Sequence, residues 1–198
     1  MPARRFLLAL AAPLVLVACS RAPADEQASV DEVAPVLVVT RVPEAGISIA
    51  HPENVPARRA APGAPASAAQ PLLALRLPGG DEAVRAELRI GTARGNAEVA
   101  RCTEDPETLH AGTRTTEVLG GVEFVRFDSG ETNDGESRFV RGYRAVRDRT
   151  CYAIDLVVTG DAETLAPGFA RARAVERLHA LLEGLRFDGV AQEVVAAQ

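Results

Sequence analysis

Three cysteines carry the most reactive side chains of this 198-residue chain, and they stand at positions 19, 102 and 151. As a thiolate, a cysteine is a good nucleophile and is readily alkylated or oxidised. Cys19 directly follows an uncharged run from Phe6 to Ala18, which two arginines precede. That run is shorter than the roughly 20 residues that a helix needs to cross a bilayer core of about 30 Å. A positive start, a short apolar run and small residues near its end are typical of a secretory signal.

The four residues LVAC at positions 16–19 resemble the lipobox of bacterial lipoproteins. The resemblance implies that the thiol of Cys19 is lipidated, that the signal peptide 1–18 is removed, and that the new amino terminus is acylated. Each buried methylene contributes about 0.8 kcal/mol, so several acyl chains make a lasting anchor where one would be marginal. The residue after the cysteine is Ser20 and not Asp, which favours sorting to the outer membrane of a Gram-negative bacterium. We therefore expect a periplasm-facing protein of the cell envelope, anchored in the membrane through Cys19; an ordinary signal peptide followed by a chance cysteine is the alternative.

Cys102 and Cys151 remain once Cys19 is assigned to the anchor. In an exported chain two such thiols predict a disulfide, because the envelope is oxidising. Closing a loop of about 50 residues would stabilise the fold by about 4 kcal/mol in the chain-entropy model. A redox-active pair is the alternative, although such pairs normally stand two residues apart near the start of a helix.

The charge and the composition exclude several classes of function. The chain has 22 basic and 27 acidic residues, and without the leader, which holds two of the basic ones, the net charge is 20 − 27 = −7. Such an acidic protein is a poor candidate for binding nucleic acid. Every basic residue is an arginine, which excludes Schiff-base catalysis by lysine and a phosphate-loop lysine. Trp is absent and aromatic residues make up 4%, so stacking platforms for sugars or single strands are lacking. We expect no cofactor and no nucleic acid partner.

Histidines and hydroxyl nucleophiles do not form a recognisable catalytic or metal-binding motif. His51, His110 and His179 share no short metal-ligand spacing. His51 and Glu53 would offer two ligands on a turn, which is a weak case, and we predict no metal site. Ser129, in FDSGET, lacks the G-x-S-x-G pattern of a nucleophile elbow. We therefore predict no catalytic residue, with an envelope hydrolase that uses scattered acids as an alternative.

A predicted hairpin brings one arginine and one aspartate together. Two β-rich runs within 138–158 flank Asp148 and Arg149, as in a two-residue hairpin turn. In that register Arg144 and Asp155 are diagonal neighbours on one face of the sheet. Because Asp155 lies in an otherwise apolar strand, its charge needs a partner. The pair is either a polar face that binds a small anion or a peptide, or an ion pair at the edge of the sheet, which we favour. The same hairpin carries further arginines, whose usual role is a solvated face, at Arg138, Arg141, Arg147 and Arg149.

The elements that must position these residues are short strands and turns, with one long helix near the end. Residues 19–33 form a predicted flexible tether and 191–198 a tail. Within the single predicted domain, 34–190, a Pro- and Ala-rich insert at 54–71 is either an exposed loop or a part of the tether. Strands are predicted at 35–40, 46–52, 84–92, 185–187 and after the Gly pair of 117–127, and 72–77 is a compact apolar run. A loop is predicted at 129–135, a short helix at 97–102 capped by Asn96, and a long helix over 168–184. The apolar stripe of the long helix contains Phe169, Ala172, Val175, Leu178, Leu182 and Leu185.

This order of elements predicts an α+β fold in which an antiparallel β-sheet packs against helices. Parts of the chain also resemble a known family. GISIAHPENV, residues 46–55, resembles the opening G-F-S-F-x-Y-P-x-x-W of PsbP-like domains, although Val55 stands in place of the Trp. GYRAVRDRTCYAIDLVV, residues 142–158, and AELRIGTARGNAEVARC, residues 86–102, resemble parts of uncharacterised bacterial envelope proteins. The resemblance implies a PsbP-like α/β/α sandwich and, because such domains are mostly accessory modules, no catalytic residue.

The sequence thus predicts a membrane-anchored envelope lipoprotein that acts as a non-catalytic accessory or interaction module, with an envelope protein as its partner. A protein that binds a small anion or a peptide is the alternative, and an envelope hydrolase is the weaker one.

Overall fold

The computed structural model describes residues 34–58, 70–79, 84–104, 114–165 and 168–188. The predicted signal peptide 1–18, tether 19–33 and tail 191–198 lie outside these residues, as do Cys19 and His110. The described strands are β1 (Leu37–Val42), β2 (Ile47–Pro52), β3 (Ala57–Arg58), β4 (Gln70–Arg76), β5 (Val84–Arg94), β6 (Thr115–Leu119), β7 (Val122–Asn133), β8 (Glu136–Arg147), β9 (Thr150–Asp161) and β10 (Leu185–Phe187). The described helices are α1 (Asn96–Ala100) and α2 (Phe169–Leu182), with a 3-10 turn at Pro43–Ala45. No helix within these ranges has the length and apolar character needed to span a bilayer.

The strands form two antiparallel sheets. Seven strands follow the order β3-β4-β5-β9-β8-β7-β6, and three follow the order β1-β2-β10. The described fold is therefore mainly β, with antiparallel sheets and few helices. The expectation of an α+β sandwich overestimates the helical content. Strands β7, β8 and β9 are each 12 residues long, and α2 is the one long helix among the described residues.

Alternating side chains set the two faces of the large sheet. In β5, Ala86, Leu88 and Ile90 are buried, while Arg85 and Arg89 point to the opposite face. This follows from the period of two in a strand, and it confirms the half-buried strand that the sequence predicts.

The central hairpin, β8–β9, has the predicted turn. Asp148 and Arg149 both have positive φ, of 49° and 58°, and Arg147 lies opposite Thr150. Two-residue turns with both central φ values positive match the right-handed twist of the flanking strands. The hairpin prediction is confirmed, and with it the register of the two strands.

Strand β7 runs through residues that we predicted as a polar loop. It continues to Asn133, and the turn is confined to Asp134 and Gly135. Asn133 lies opposite Glu136, so β7 pairs with β8 over its whole second half. The pairing with a neighbouring strand overrides the polar composition, which by itself is a weak guide to strand structure.

Strand β6 is an edge strand that the sequence did not indicate. It ends at Leu119, and Gly120 and Gly121, with φ of 57° and 81°, turn the chain into β7. The predicted strand after the Gly pair is confirmed, and β6 pairs with it as the outermost strand of the large sheet.

The short helix α1 starts without the predicted cap. Asn96 is its first helical residue, and Gly95 stands at the cap position with a φ of 119° and no side-chain hydrogen bond. The prediction that Asn96 caps the helix is wrong, because the sharp entry falls on the glycine one residue earlier. The helix ends at Ala100, two residues before Cys102.

Helix α2 buries a shorter stripe than predicted. Its buried residues are Ala174, Val175, Leu178, Leu181 and Leu182. Phe169, which we placed in the stripe, is 79% exposed, and Ala172 is exposed as well. Burial begins at Ala174, so the first turn of the helix stands clear of the core.

The core lies on one face of the large sheet. Leu178 of α2, Ile49 and Leu185 of the small sheet, and Leu88 and Ile154 of the large sheet belong to one buried cluster. Helix α2 and the three-stranded sheet therefore cover the same face.

Tyr152 of β9 contacts the small sheet and the turn that precedes β2. Its hydroxyl donates to the backbone oxygen of Ala45 at 2.9 Å, and its ring meets Phe187 edge-on with centroids 5.2 Å apart. The beginning of the predicted insert also joins the fold, since Val55 is buried and β3 pairs with β4, whereas residues 59–69 lie outside the described ranges.

Candidate functional site

A cleft of about 570 Å³ opens between helix α2 and strands β6, β7 and β8. This volume falls within the range of about 300–1,000 Å³ that small-molecule sites occupy. The sheet contributes Glu117, Arg126, Asp128 and Arg141 to its lining, and the helix contributes Arg171 and His179. The cleft thus combines charged groups of both signs with the buried apolar side chains of Phe139 and Val175.

The strand register explains why charged side chains converge here. Arg126 and Asp128 stand two residues apart on β7, and Tyr143 and Arg141 stand two apart on β8. Asp128 lies opposite Arg141, and Arg126 opposite Tyr143. Because strand side chains alternate, all four project from the face that α2 covers.

Asp128 and Arg141 form a bidentate ion pair. Arg141 donates from Nε to Oδ1 and from Nη2 to Oδ2, both at 2.8 Å. The hydrogen bonds to Asp128 raise the pKa of Arg141. Two parallel charge-assisted bonds fix both side chains in one plane, so this pair forms a stable wall of the cleft.

Glu117 links the helix to the edge of the sheet. Its Oε1 accepts from Nε2 of His179 at 2.6 Å, and its Oε2 accepts from Nη1 of Arg126 at 3.4 Å. Both carboxylate oxygens are therefore engaged. His179 remains partly exposed, with 38% of its side chain reaching solvent.

Two buried donors near the cleft lack a hydrogen-bond partner among the described residues. They are the hydroxyl of Tyr143 and Nε of Arg126. Tyr143 is fully buried, with its ring centroid 6.4 Å from that of His179. Burial, and then the charge of Glu117, raise the pKa of Tyr143, so its hydroxyl stays protonated. Buried polar groups are rarely left unpaired, and each such group costs about 1–3 kcal/mol.

Arg171 adds a positive charge at the helix side of the cleft. Its guanidinium lies over the ring of Phe139, 4.8 Å from the centroid, and it makes no ion pair with another described residue. A cation over an aromatic face is held in position while its N–H groups stay available to an acceptor.

The sequence-predicted pair of Arg144 and Asp155 lies on the other face of the large sheet. Nη1 of Arg144 donates to Oδ1 of Asp155 at 2.7 Å, and the guanidinium lies 5.1 Å from the ring centroid of Phe127. The predicted diagonal contact is present. The predicted position at a sheet edge is wrong, because β8 and β9 are inner strands with β7 and β5 outside them. The two side chains are only 4% and 6% exposed, and the ligand-binding role of this face stays a prediction.

The other arginines of the hairpin do not form one cationic patch. Arg138 donates to Glu131 at 3.5 Å, and Arg147 lies 3.3 Å from the carboxylate of Asp148. Arg141 points into the cleft, three residues from Arg138 and so on the opposite face of the strand.

The structure joins Cys102 and Cys151 in a disulfide, which confirms that prediction. The bond ties the segment after α1 to the start of β9, and both residues are buried. Burial of both sulfurs disfavours the alternative of a redox-active pair, which needs an exposed thiolate.

We predict no metal site, and two of the three histidines, His51 and His179, lie within the described residues. His51 is buried; its Nδ1 donates to the backbone oxygen of Pro52 at 3.0 Å, and Nε2 lies 2.9 Å from Oγ1 of Thr40. Both ring nitrogens are thus occupied. In the part of the chain that the structure describes, no group of three His, Cys, Asp or Glu side chains is placed to hold a metal.

No family model and no curated protein matches this chain. Among solved structures, the chain is similar to LpqN of Mycobacterium tuberculosis, which is involved in cell envelope biogenesis. The TM-score is 0.45 at 10% identity, over 79% of this chain and 87% of LpqN. A protein of Bacteroides thetaiotaomicron gives a TM-score of 0.44 at 10% identity, over 78% of this chain. The chain spans about half of that protein, 48% of its length. Likeness at this level assigns neither a family nor a function.

Proposed function

We propose that the chain is a lipid-anchored protein of the bacterial cell envelope whose folded domain acts by binding and not by catalysis. The observation that carries this proposal is the disulfide between Cys102 and Cys151. Disulfides persist in oxidising compartments, such as the bacterial periplasm, and are rare in the cytosol. A disulfide in the domain therefore agrees with the export signal that precedes Cys19.

The anchor itself rests on the residues LVAC at 16–19. Acylation of Cys19 would hold the domain at the membrane, and Ser20 supports sorting to the outer membrane. An envelope protein is then the natural partner of the domain, since the tether keeps it at that surface.

The contacts of His179 support binding over hydrolysis. A hydrolytic histidine activates a nucleophile within hydrogen-bond reach. His179 bonds to Glu117, and among the described residues it bonds to no hydroxyl or thiol. Asp128 is bound to Arg141, and Glu117 to Arg126 and His179, which suits a site that holds a ligand.

The anchor is tested by metabolic labelling with a palmitate analogue and by fractionation of expressing cells. We expect the wild-type chain to be labelled and to sediment with membranes, and Cys19→Ala to be unlabelled and released. The double variant Cys102→Ala/Cys151→Ala is the matched control and should still be labelled. If Cys19→Ala stays with the membrane and the wild type carries no label, the proposal is wrong.

A second candidate function, binding of a small ligand, is favoured by one observation. The hydroxyl of Tyr143 and Nε of Arg126 are buried donors without a partner beside a cleft of suitable size. An acceptor brought by a ligand would satisfy them.

A further inference from the structure

We propose that the cleft between α2 and the sheet binds a small organic monocarboxylate, held by Arg126, Arg171 and the hydroxyl of Tyr143. This rests on the second candidate function, ligand binding, and is independent of the anchor at Cys19.

The balance of donors and acceptors in the cleft points to a ligand that accepts hydrogen bonds. Both oxygens of Asp128 accept from Arg141, and both oxygens of Glu117 accept from His179 and Arg126. The acceptors of these two carboxylates are thus in use. Hydrogen-bond donors therefore remain without acceptors. A carboxylate ligand would supply acceptors, whereas a ligand rich in N–H groups would add further donors.

Two of the surplus donors belong to one pair of opposed residues. Tyr143 and Arg126 lie opposite each other on neighbouring strands and share one face. Directly opposed side chains start about 4.5–5.5 Å apart at Cβ, close enough for one carboxylate to reach both. Both unpartnered atoms are buried, so binding includes a rotation of a partly exposed side chain, Arg126 or His179, that opens them to the cleft.

The charge of the lining favours a single negative charge on the ligand. Three arginines, Arg126, Arg141 and Arg171, face Glu117, Asp128 and Glu176. The first two acids are paired with the cations beside them, and Glu176 is exposed, where water and salt screen its charge. The lining can hold one more negative charge through Arg171, whereas a dianion such as phosphate would be left partly unneutralised.

The apolar part of the ligand would lie against the core side of the cleft. Phe139 and Val175 are buried and line it. Apolar walls with a few convergent polar groups are the usual build of small-molecule sites. A short alkyl carboxylate therefore matches both ends of the cleft.

The test compares hexanoate with hexanamide, which share a shape but differ in charge, on the full-length chain labelled with ¹³C-tyrosine. The chain has two tyrosines, so one ring signal reports on the cleft, through Tyr143, and the other on the contacts of Tyr152 with Ala45 and Phe187. We expect hexanoate to shift the Tyr143 signal with a Kd of about 1 mM or tighter, and to leave Tyr152 in place. Hexanamide and inorganic phosphate should bind at least about tenfold more weakly.

Variants separate direct binding from a loss of structure. Arg126→Gln should weaken hexanoate about tenfold or more, and Arg171→Gln severalfold. Arg171 lies over the ring of Phe139 and makes no ion pair with another described residue, so its variant should keep the core intact even where Arg126→Gln disturbs Glu117. Arg85→Gln, whose partner Glu136 lies outside the cleft, is the matched control and should bind as the wild type does.

Each other result overturns the proposal. If hexanoate leaves Tyr143 unmoved, ordered water alone satisfies the buried donors. If hexanamide binds as tightly as hexanoate, the cleft is a ligand site, so the second candidate function stands, but its ligand is not a carboxylate. If Arg126→Gln and Arg171→Gln both bind hexanoate with undiminished affinity, the carboxylate is held elsewhere.

Discussion

Arg144 and Asp155 form a buried ion pair at the centre of the large sheet, with Nη1 and Oδ1 2.7 Å apart. The two strands that carry them, β8 and β9, are flanked by β7 and β5, so the pair lies far from an open edge. Arg144 also donates to the backbone oxygen of Ile154 at 3.3 Å and lies over the ring of Phe127. The pair is therefore part of the framework that holds the hairpin, on the face opposite the cleft.

Removing one partner of this pair should destabilise the fold strongly. Arg144→Met removes the cation that donates to the buried carboxylate of Asp155, and breaking such a buried pair costs about 3–5 kcal/mol. The measurement is the free energy of unfolding in urea. The exposed pair of Arg85 and Glu136, with side chains 59% and 60% exposed, is the matched control, and Arg85→Met should cost less than about 1 kcal/mol. Equal losses for the two variants would contradict a structural role for the buried pair.

The disulfide should contribute a large share of the stability. Cys102 and Cys151 are separated by 49 residues, and closing a loop of that size stabilises by about 4 kcal/mol in the chain-entropy model. We expect Cys102→Ser/Cys151→Ser to lower the free energy of unfolding in urea by that amount, and Cys19→Ser to leave it unchanged. A double variant as stable as the wild type would show that the bond is dispensable for folding.

Gly142 should tolerate no side chain. A Cβ at this position would run into the ring of Phe127, which lies opposite Gly142 on β7. Overpacking of this kind costs about 1–3 kcal/mol, so Gly142→Ala should lower the free energy of unfolding by that amount. Phe127→Leu in the same chain frees the space, and the double variant should recover part of the loss. If Gly142→Ala unfolds as the wild type does, the ring has room that the structure does not show.

Tyr143 should make the fold less stable at high pH. Burial raises the pKa of its hydroxyl above the ordinary value of about 10. Above that pH the unfolded chain loses this proton while the native chain keeps it, so the free energy of unfolding falls as pH rises, by up to about 1.4 kcal/mol per pH unit. The chain contains no lysine, so no lysine titrates in the same range.

The pH dependence is measured by urea unfolding from neutral pH upward. Tyr143→Phe should remove the fall that begins near pH 10, whereas Tyr152→Phe, which leaves Tyr143 in place, should keep it. An unchanged slope in Tyr143→Phe would mean that the hydroxyl does not titrate with unfolding.

Local patterns predicted the central part of the fold. The alternation of β5, the turn at Asp148 and Arg149, and the pairing of Cys102 with Cys151 each depend on short-range rules of side-chain period, turn type and redox chemistry. Strand β6 and the polar half of β7 were missed, because their structure comes from pairing with a neighbouring strand. The prediction that Phe169 is buried is wrong, because the periodicity of apolar residues along a helix does not show which of its turns contact the core.

The candidate site was out of reach for a similar reason. Arg126 and Asp128 alternate with Val125 and Phe127, which indicates a strand with one polar face. Such a face normally points to solvent. The contact between Glu117 and His179, 62 residues apart, reveals that α2 covers it. The contact between Arg144 and Asp155 is predictable from the sequence because both residues lie in one hairpin, whereas a contact between a helix and a distant edge strand leaves no local signal.

Mass spectrometry of the protein, taken from the membrane fraction of expressing bacteria, tests most directly whether lipid on Cys19 holds an exported domain at the membrane. We predict a mature chain that begins at Cys19, carries acyl groups on that residue, and holds Cys102 and Cys151 in a disulfide. A mature chain that retains residues 1–18, or that begins beyond position 19, or that carries a free thiol at Cys19, would contradict it.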